Sequence, residues 1–223
     1  MSKKIQSELV AILSDLIALP SPYPPGTSVE ICAYGARRLK KAGYKVEIAT
    51  KTKGVDNVVA RMKGKTKGPV IAFNAHVDTV GVGERANWKS DPYKALVKGG
   101  LVYGLGAGNC KGSMAVQIWL AEEIARRGGP AKGELIFTFV ADEENLGPDG
   151  MAYPSGATVG IEALACGTTE GLAHAWRNGE AMQACRRATA AHADSPLRFI
   201  LGGGDPDHSY SHAGTFVGDD PYL

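Results

Sequence analysis

The stretch VIAFNAHVDTV, residues 70–80, decides how the chain folds. Its first half is an apolar run of the kind buried in the middle of a sheet. Its second half places His76 and Asp78 where the core should continue or a turn should begin. Side chains two apart on a strand share a face about 7 Å apart, so this pair can act together. A metal-bound imidazole needs its other ring nitrogen oriented, and Asp78 stands where such a carboxylate would. A solvated strand end with a polar pair yields the same tripeptide, and alone it would be the better reading. A second strand, GELIFTFVADEE at residues 133–144, repeats the design and ends in Asp142, Glu143 and Glu144. Adjacent carboxylates repel, and a cation is the natural way to hold them together. An acidic loop is the bland alternative, but two such strand ends in one chain point to one shared site.

Around these strands the pattern alternates. Ile5, Leu9, Ile12, Leu13, Leu16 and Ile17 recur at helical spacing up to Pro20. Ser28 is placed to cap a second helix running to about Ala42, and YKVEIA and NVVARM read as short strands. GKTKGP reads as a hairpin turn into residues 70–80, residues 93–103 as a second hairpin, and SMAVQIWLAEEIARRG as an amphipathic helix. The fold class is therefore α/β, a mixed sheet flanked by helices on both faces.

The 223 residues, 44% hydrophobic and 22% charged, suit one generous domain with its own core. A net charge of +2 favours no polyanionic partner, and the lysines of KTKG and KGKTKG lack the interleaved aromatics of a nucleic-acid groove. Cys32, Cys110, Cys166 and Cys185 form no CxxC pair. Free thiols, together with an N-terminus that fits neither a signal peptide nor a membrane span, predict a cytoplasmic protein.

Between the two strands lies VYGLGAGNCKGSMA, residues 102–115, a glycine-rich turn opening a helix. It is neither GxxxxGK[ST] nor GxGxxG, so a phosphate cradle is a weak reading. Close approach of backbone to a metal site explains the glycines equally well.

In order and in sequence, SPYPPG, NAHVDTV, DPYKALVKGGLVYGLGAGNCKG and VADEENLGPDG resemble the dinuclear zinc amidohydrolases that include acetylornithine deacetylase, succinyl-diaminopimelate desuccinylase, aminoacylase and glutamate carboxypeptidase. The resemblance runs through about the first 150 residues. It implies a zinc exopeptidase-like catalytic domain that hydrolyses the amide bond of an N-acyl amino acid or small peptide. It also implies one or two zinc ions, with cobalt as a substitute. His76 would bind one metal, Asp78 would orient it, Glu143 would be the general base and Glu144 a ligand of the other metal.

Departures follow. The family's bridging aspartate is replaced by Asn109, whose neutral amide can coordinate one ion but cannot compensate the charge of two. The resemblance thus implies a weakened site holding one metal or none. GATVGIEALACGTTEG offers Glu162, or alternatively Glu170, as a ligand of the first metal. Further on, His192 would match the histidine that helps polarise the substrate carbonyl, though the plainer reading of both His174 and His192 is as ordinary surface or half-buried histidines. Towards the end, His212, better than His208, matches the ligand completing the second site. The chain reads as an internally shortened relative: residues 1–170 as catalytic domain, 171–200 as a lid or dimerisation remnant, and 201–223 as a return to the catalytic domain. A homodimer is doubtful without that lid. Beside the enzyme stands a rival from another class, an inactive relative kept as a binding module.

Overall fold

The computed structural model describes residues 3–145, 149–150 and 198–201. Helix α1 (Lys3–Ile17) buries Ile12, Leu16 and Ile17, and it packs against α3 (Lys111–Arg126). Helix α2 (Val29–Lys41) presents Ile31, Cys32, Ala36 and Leu39 at helical spacing, and its Arg38 grips Glu122 of α3 in a two-pronged pair at 2.7 and 2.8 Å. All three helices therefore share one core, and α2 and α3 also rest directly on the sheet.

The sheet holds β1 (Lys45–Thr50), β2 (Asp56–Lys63), β3 (Thr66–His76), β6 (Lys132–Val140) and β7 (Arg198–Leu201) in the order β1-β2-β6-β3-β7. The first two pairings are antiparallel, while β6-β3 and β3-β7 are parallel. Alternation splits each central strand between two faces. Val58, Phe73, Phe137 and Phe139 go to the helical core, where the rings of Phe73 and Phe137 stack at 4.9 Å. Val59, Ala72 and Ile136 form a smaller buried cluster on the other face. Among the described residues, all three helices lie on the first face and none on this one. A separate hairpin, β4 (Leu96–Lys98) with β5 (Leu101–Tyr103), turns at Gly99 and Gly100 as expected.

Three sequence expectations are corrected or extended. GKTKGP is not a hairpin turn, because β6 lies between β2 and β3 and the connection has to cross its start. The crossing is close: a Cβ on Gly64 would lie 2.6–2.8 Å from the backbone of Lys132, which no side chain tolerates. Ser28 occupies the N-cap of α2 without capping it, since its hydroxyl bonds the backbone carbonyl and amide of Asp56 and so ties the helix to β2. Strand β7 was not legible as a strand, and it straddles the expected boundary at residue 200.

Lys111, fully buried, opens α3 and donates from Nζ to the Leu19 carbonyl at 2.8 Å. Burial pushes its pKa down from 10.5 to about 8. Between those values the unfolded chain holds a proton that the folded chain lacks, so stability should rise with pH through this window. Lys111→Met removes the titrating group and should flatten that rise, worth about 3 kcal/mol at most, in urea unfolding at stepped pH.

Candidate metal centre

Parallel pairing brings the two acidic strand ends together. His76, the last residue of β3, is the register partner of Val140, the last residue of β6, and the Val77 amide bonds the Val140 carbonyl at 2.8 Å. Three bonds pin the turn after β3 to the Ser-Pro-Tyr loop. Ser21 Oγ donates to the Val77 carbonyl at 2.6 Å, the Thr79 amide to the Ser21 carbonyl, and the Tyr23 amide to the Thr79 carbonyl. From the third side comes the glycine-rich turn. At Gly106, with φ +77°, a Cβ would lie 2.8 Å from Thr79 Cγ2, so the turn needs glycine to approach this closely.

His76, Asp78 and Glu143 are buried, and Glu144 is half-buried. The strand ends at His76, so the face-sharing argument does not itself bring Asp78 to the ring. Instead, His76 Nδ1 lies 3.0 Å from the backbone carbonyl of Asp78 and 3.5 Å from its Oδ1. The other carboxylate oxygen, Oδ2, accepts the Glu144 amide at 2.9 Å, so Asp78 links the two strand ends. On the far side of the ring, His76 Nε2 faces Asn109 Oδ1 at 2.8 Å and Glu143 Oε2 at 3.6 Å. Asn109 Nδ2 in turn donates to Glu144 Oε1 at 3.2 Å.

Nδ1 faces the Asp78 backbone carbonyl, which only accepts, so the ring proton belongs on that nitrogen and Nε2 is turned towards Asn109 and Glu143. Reversing the Asn109 amide would forfeit its bond to Glu144. Burial is the largest single influence on His76 and opposes the charge, but Asp78, Cys110 and Glu143 together raise its pKa well above the ordinary value.

The donor set fits a divalent cation. One ligand atom each from His76, Glu143 and Glu144 lies within 4.8 Å of the others. A nitrogen with carboxylate oxygens suits zinc and its divalent neighbours. Nε2 is the ring nitrogen that such a cation would take, with Nδ1 held by the Asp78 carbonyl.

The structure thus brings His76, Asp78, Asn109, Glu143 and Glu144 to one place. Glu162, Glu170, His174, His192, His208 and His212 lie outside the described residues. Sequence reasoning missed the part played by Ser21, whose hydroxyl is one short polar group in a proline-rich loop with nothing local to mark its partner.

Comparison with known proteins identifies the family. Peptidase family M20/M25/M40 matches residues 72–208. The succinyl-diaminopimelate desuccinylase of Bordetella avium (strain 197N) is 35% identical over 144 residues, 65% of this chain and 37% of that protein. The enzyme of the same name from Pseudomonas syringae pv. syringae (strain B728a) is 35% identical over 139 residues, 62% of this chain and 35% of that protein. The chain therefore spans little more than a third of the length of these relatives. Among solved structures, human carnosine dipeptidase 1 superposes with a TM-score of 0.57 at 20% identity, covering 63% of this chain and 33% of its own. The YXEP protein of Bacillus subtilis, a dinuclear metal binding peptidase from the M20 family, gives 0.52 at 25% identity, covering 71% and 41%. The family match runs over more than half of the sequence, through both strand ends and the glycine-rich turn, and the chain belongs to peptidase family M20/M25/M40.

Proposed function

We propose that the chain is a divalent-metal hydrolase of the amide bond in an N-acyl amino acid or small peptide. The observation that carries this reading is the convergence of His76, Glu143 and Glu144 within 4.8 Å, at and just beyond the ends of two adjacent parallel strands. Zinc, with cobalt as a substitute, would be held by His76 and Glu144, with the Asn109 oxygen beside it. When bound, it would polarise the substrate carbonyl and acidify water. Asp78 holds His76 in position. Glu143, buried and 3.6 Å from His76 Nε2, takes a proton from the attacking water and delivers it to the departing amine. Glu162, His192 and His212 extend this proposal through the family resemblance. Substrates of the desuccinylase and dipeptidase kinds named above are the first to try, in a cytoplasmic setting.

A second reading is favoured by one specific residue. Asn109 stands between His76 and Glu144 where the resemblance calls for an aspartate. If its amide leaves room for one cation only, the fold serves as a binding module for acylated amino acids without turnover. A panel of N-succinyl and N-acetyl amino acids and dipeptides, assayed for released amine with and without added zinc or cobalt, separates the two. Metal-dependent release supports the hydrolase. Saturable binding of the same compounds without release supports the module.

A further inference from the structure

Asn57 is fully buried near the start of β2, and it bonds three backbone groups. Its Oδ1 accepts the Ala141 amide at 2.9 Å, while its Nδ2 donates to the Asp149 carbonyl at 2.8 Å and to the Ala49 carbonyl at 3.3 Å. Ala49 is its own register partner on β1, so that last bond serves the sheet. The other two serve something else. Ala141 is the first residue after β6, and Asp149 closes the segment that carries Glu143 and Glu144. One side chain therefore holds both feet of the segment.

The interior of the segment depends on those feet. Asp142 has φ 64°, the left-handed region that a branched carboxylate side chain enters at some cost. It is kept there by the amide of Asp149 on Oδ2 at 3.0 Å and by Asn145 Nδ2 on Oδ1 at 3.2 Å. Asp149 is thus the shared anchor of Asn57 and Asp142. If Asp149 shifts, the residue directly before Glu143 loses the bond that keeps its unusual backbone angle.

We propose that Asn57 is a positioning residue of the metal centre: by clamping Ala141 and Asp149 it sets where the Glu143 and Glu144 carboxylates stand. This rests on the cation site proposed above. An asparagine suits the task because acceptor and donor sit side by side on one rigid plane and reach an amide and a carbonyl at once. Aspartate would keep the acceptor, lose both donors and face a carboxylate towards two carbonyl oxygens. Groups that orient metal ligands commonly matter to affinity nearly as much as the ligands do.

The test measures cobalt and zinc affinity by competition with a chromophoric chelator, alongside the melting temperature of the metal-free protein. The proteins compared are wild type, Asn57→Asp, Asn57→Ser and Thr138→Val. Thr138 is also buried and bonds Asn74 Oδ1 at 2.7 Å, but it does not hold the 141–149 segment, so its loss reports on core stability alone. The expected result is affinity weakened by about 10- to 100-fold in both Asn57 variants, against less than about twofold in Thr138→Val. An altered cobalt absorption spectrum in the Asn57 variants would accompany the loss. Should Asn57→Asp fail to fold, Asn57→Ser makes the same comparison without burying a charge. Wild type that binds cobalt while the folded Asn57 variants bind it equally well would overturn the clamp alone. Wild type that binds no metal would overturn the cation site and this inference with it.

Discussion

Glu143→Gln is expected to lower metal-dependent hydrolysis by at least about a thousandfold while leaving metal affinity within about threefold of wild type. The reasoning is that glutamine keeps the size and one acceptor oxygen of the side chain but cannot carry a proton between water and amine. Glu143 and Glu144 are neighbours with separable tasks. Glu144 is tied by its amide to Asp78 and by its carboxylate to Asn109, and so belongs to the frame of the site. Glu143 is buried beside His76 Nε2, where a proton carrier would face the reacting atoms. Steady-state assay and chelator competition on the same preparation check both halves. A glutamine variant that loses metal and turnover together would instead make Glu143 a ligand, and the base would have to be found elsewhere.

Asn109→Asp should act in the opposite direction. In the present chain the Asn109 amide sets its oxygen 2.8 Å from His76 Nε2 and donates from its nitrogen to Glu144. An aspartate there would lose the donor to Glu144 and set two carboxylates against each other, which costs stability unless a cation lies between them. With metal present, the added charge can be shared by two ions about 3.5–4 Å apart. Bound zinc is expected to rise from one towards two per chain and turnover to rise by at least about tenfold, since a second cation stabilises developing charge. The metal-free variant should melt below wild type and the zinc-loaded variant above it. No change in zinc content or turnover would mean that the second site lacks more than this one carboxylate.

The site was legible wherever chemistry broke a local pattern. His76 interrupts an apolar strand and Glu143 and Glu144 terminate another, so both stood out against the residues before them. That the two ends meet could be inferred from α/β sheets in general, and the parallel register His76 to Val140 is how they do so. What stayed hidden depended on distant backbone. Asn57 reads as an ordinary strand residue, because its partner Ala141 lies 84 residues away. Lys111 lies in the glycine-rich stretch with nothing local to mark it, yet its ammonium is buried against a carbonyl 92 residues earlier in the chain. The connection after β2 misled for a related reason. Two strands close in sequence suggest a hairpin, and nothing local announces that a strand formed some 70 residues later will insert between them. Ser28 was found at the right position with the wrong partner, since helix geometry fixes the cap but not whether a neighbouring strand competes for its hydroxyl.

The most direct test of the central claim is zinc content per chain after incubation with zinc and removal of loosely bound ion, measured by elemental analysis beside a His76→Ala control. The account predicts one zinc in the wild-type protein and none in the control. His76 supplies the only nitrogen among the described donors, and alanine there leaves carboxylate and amide oxygens alone, which hold zinc too weakly to survive removal of loosely bound ion. No zinc in the wild-type protein, or equal zinc in both, would contradict the assignment of His76 and its carboxylate neighbours as the metal centre.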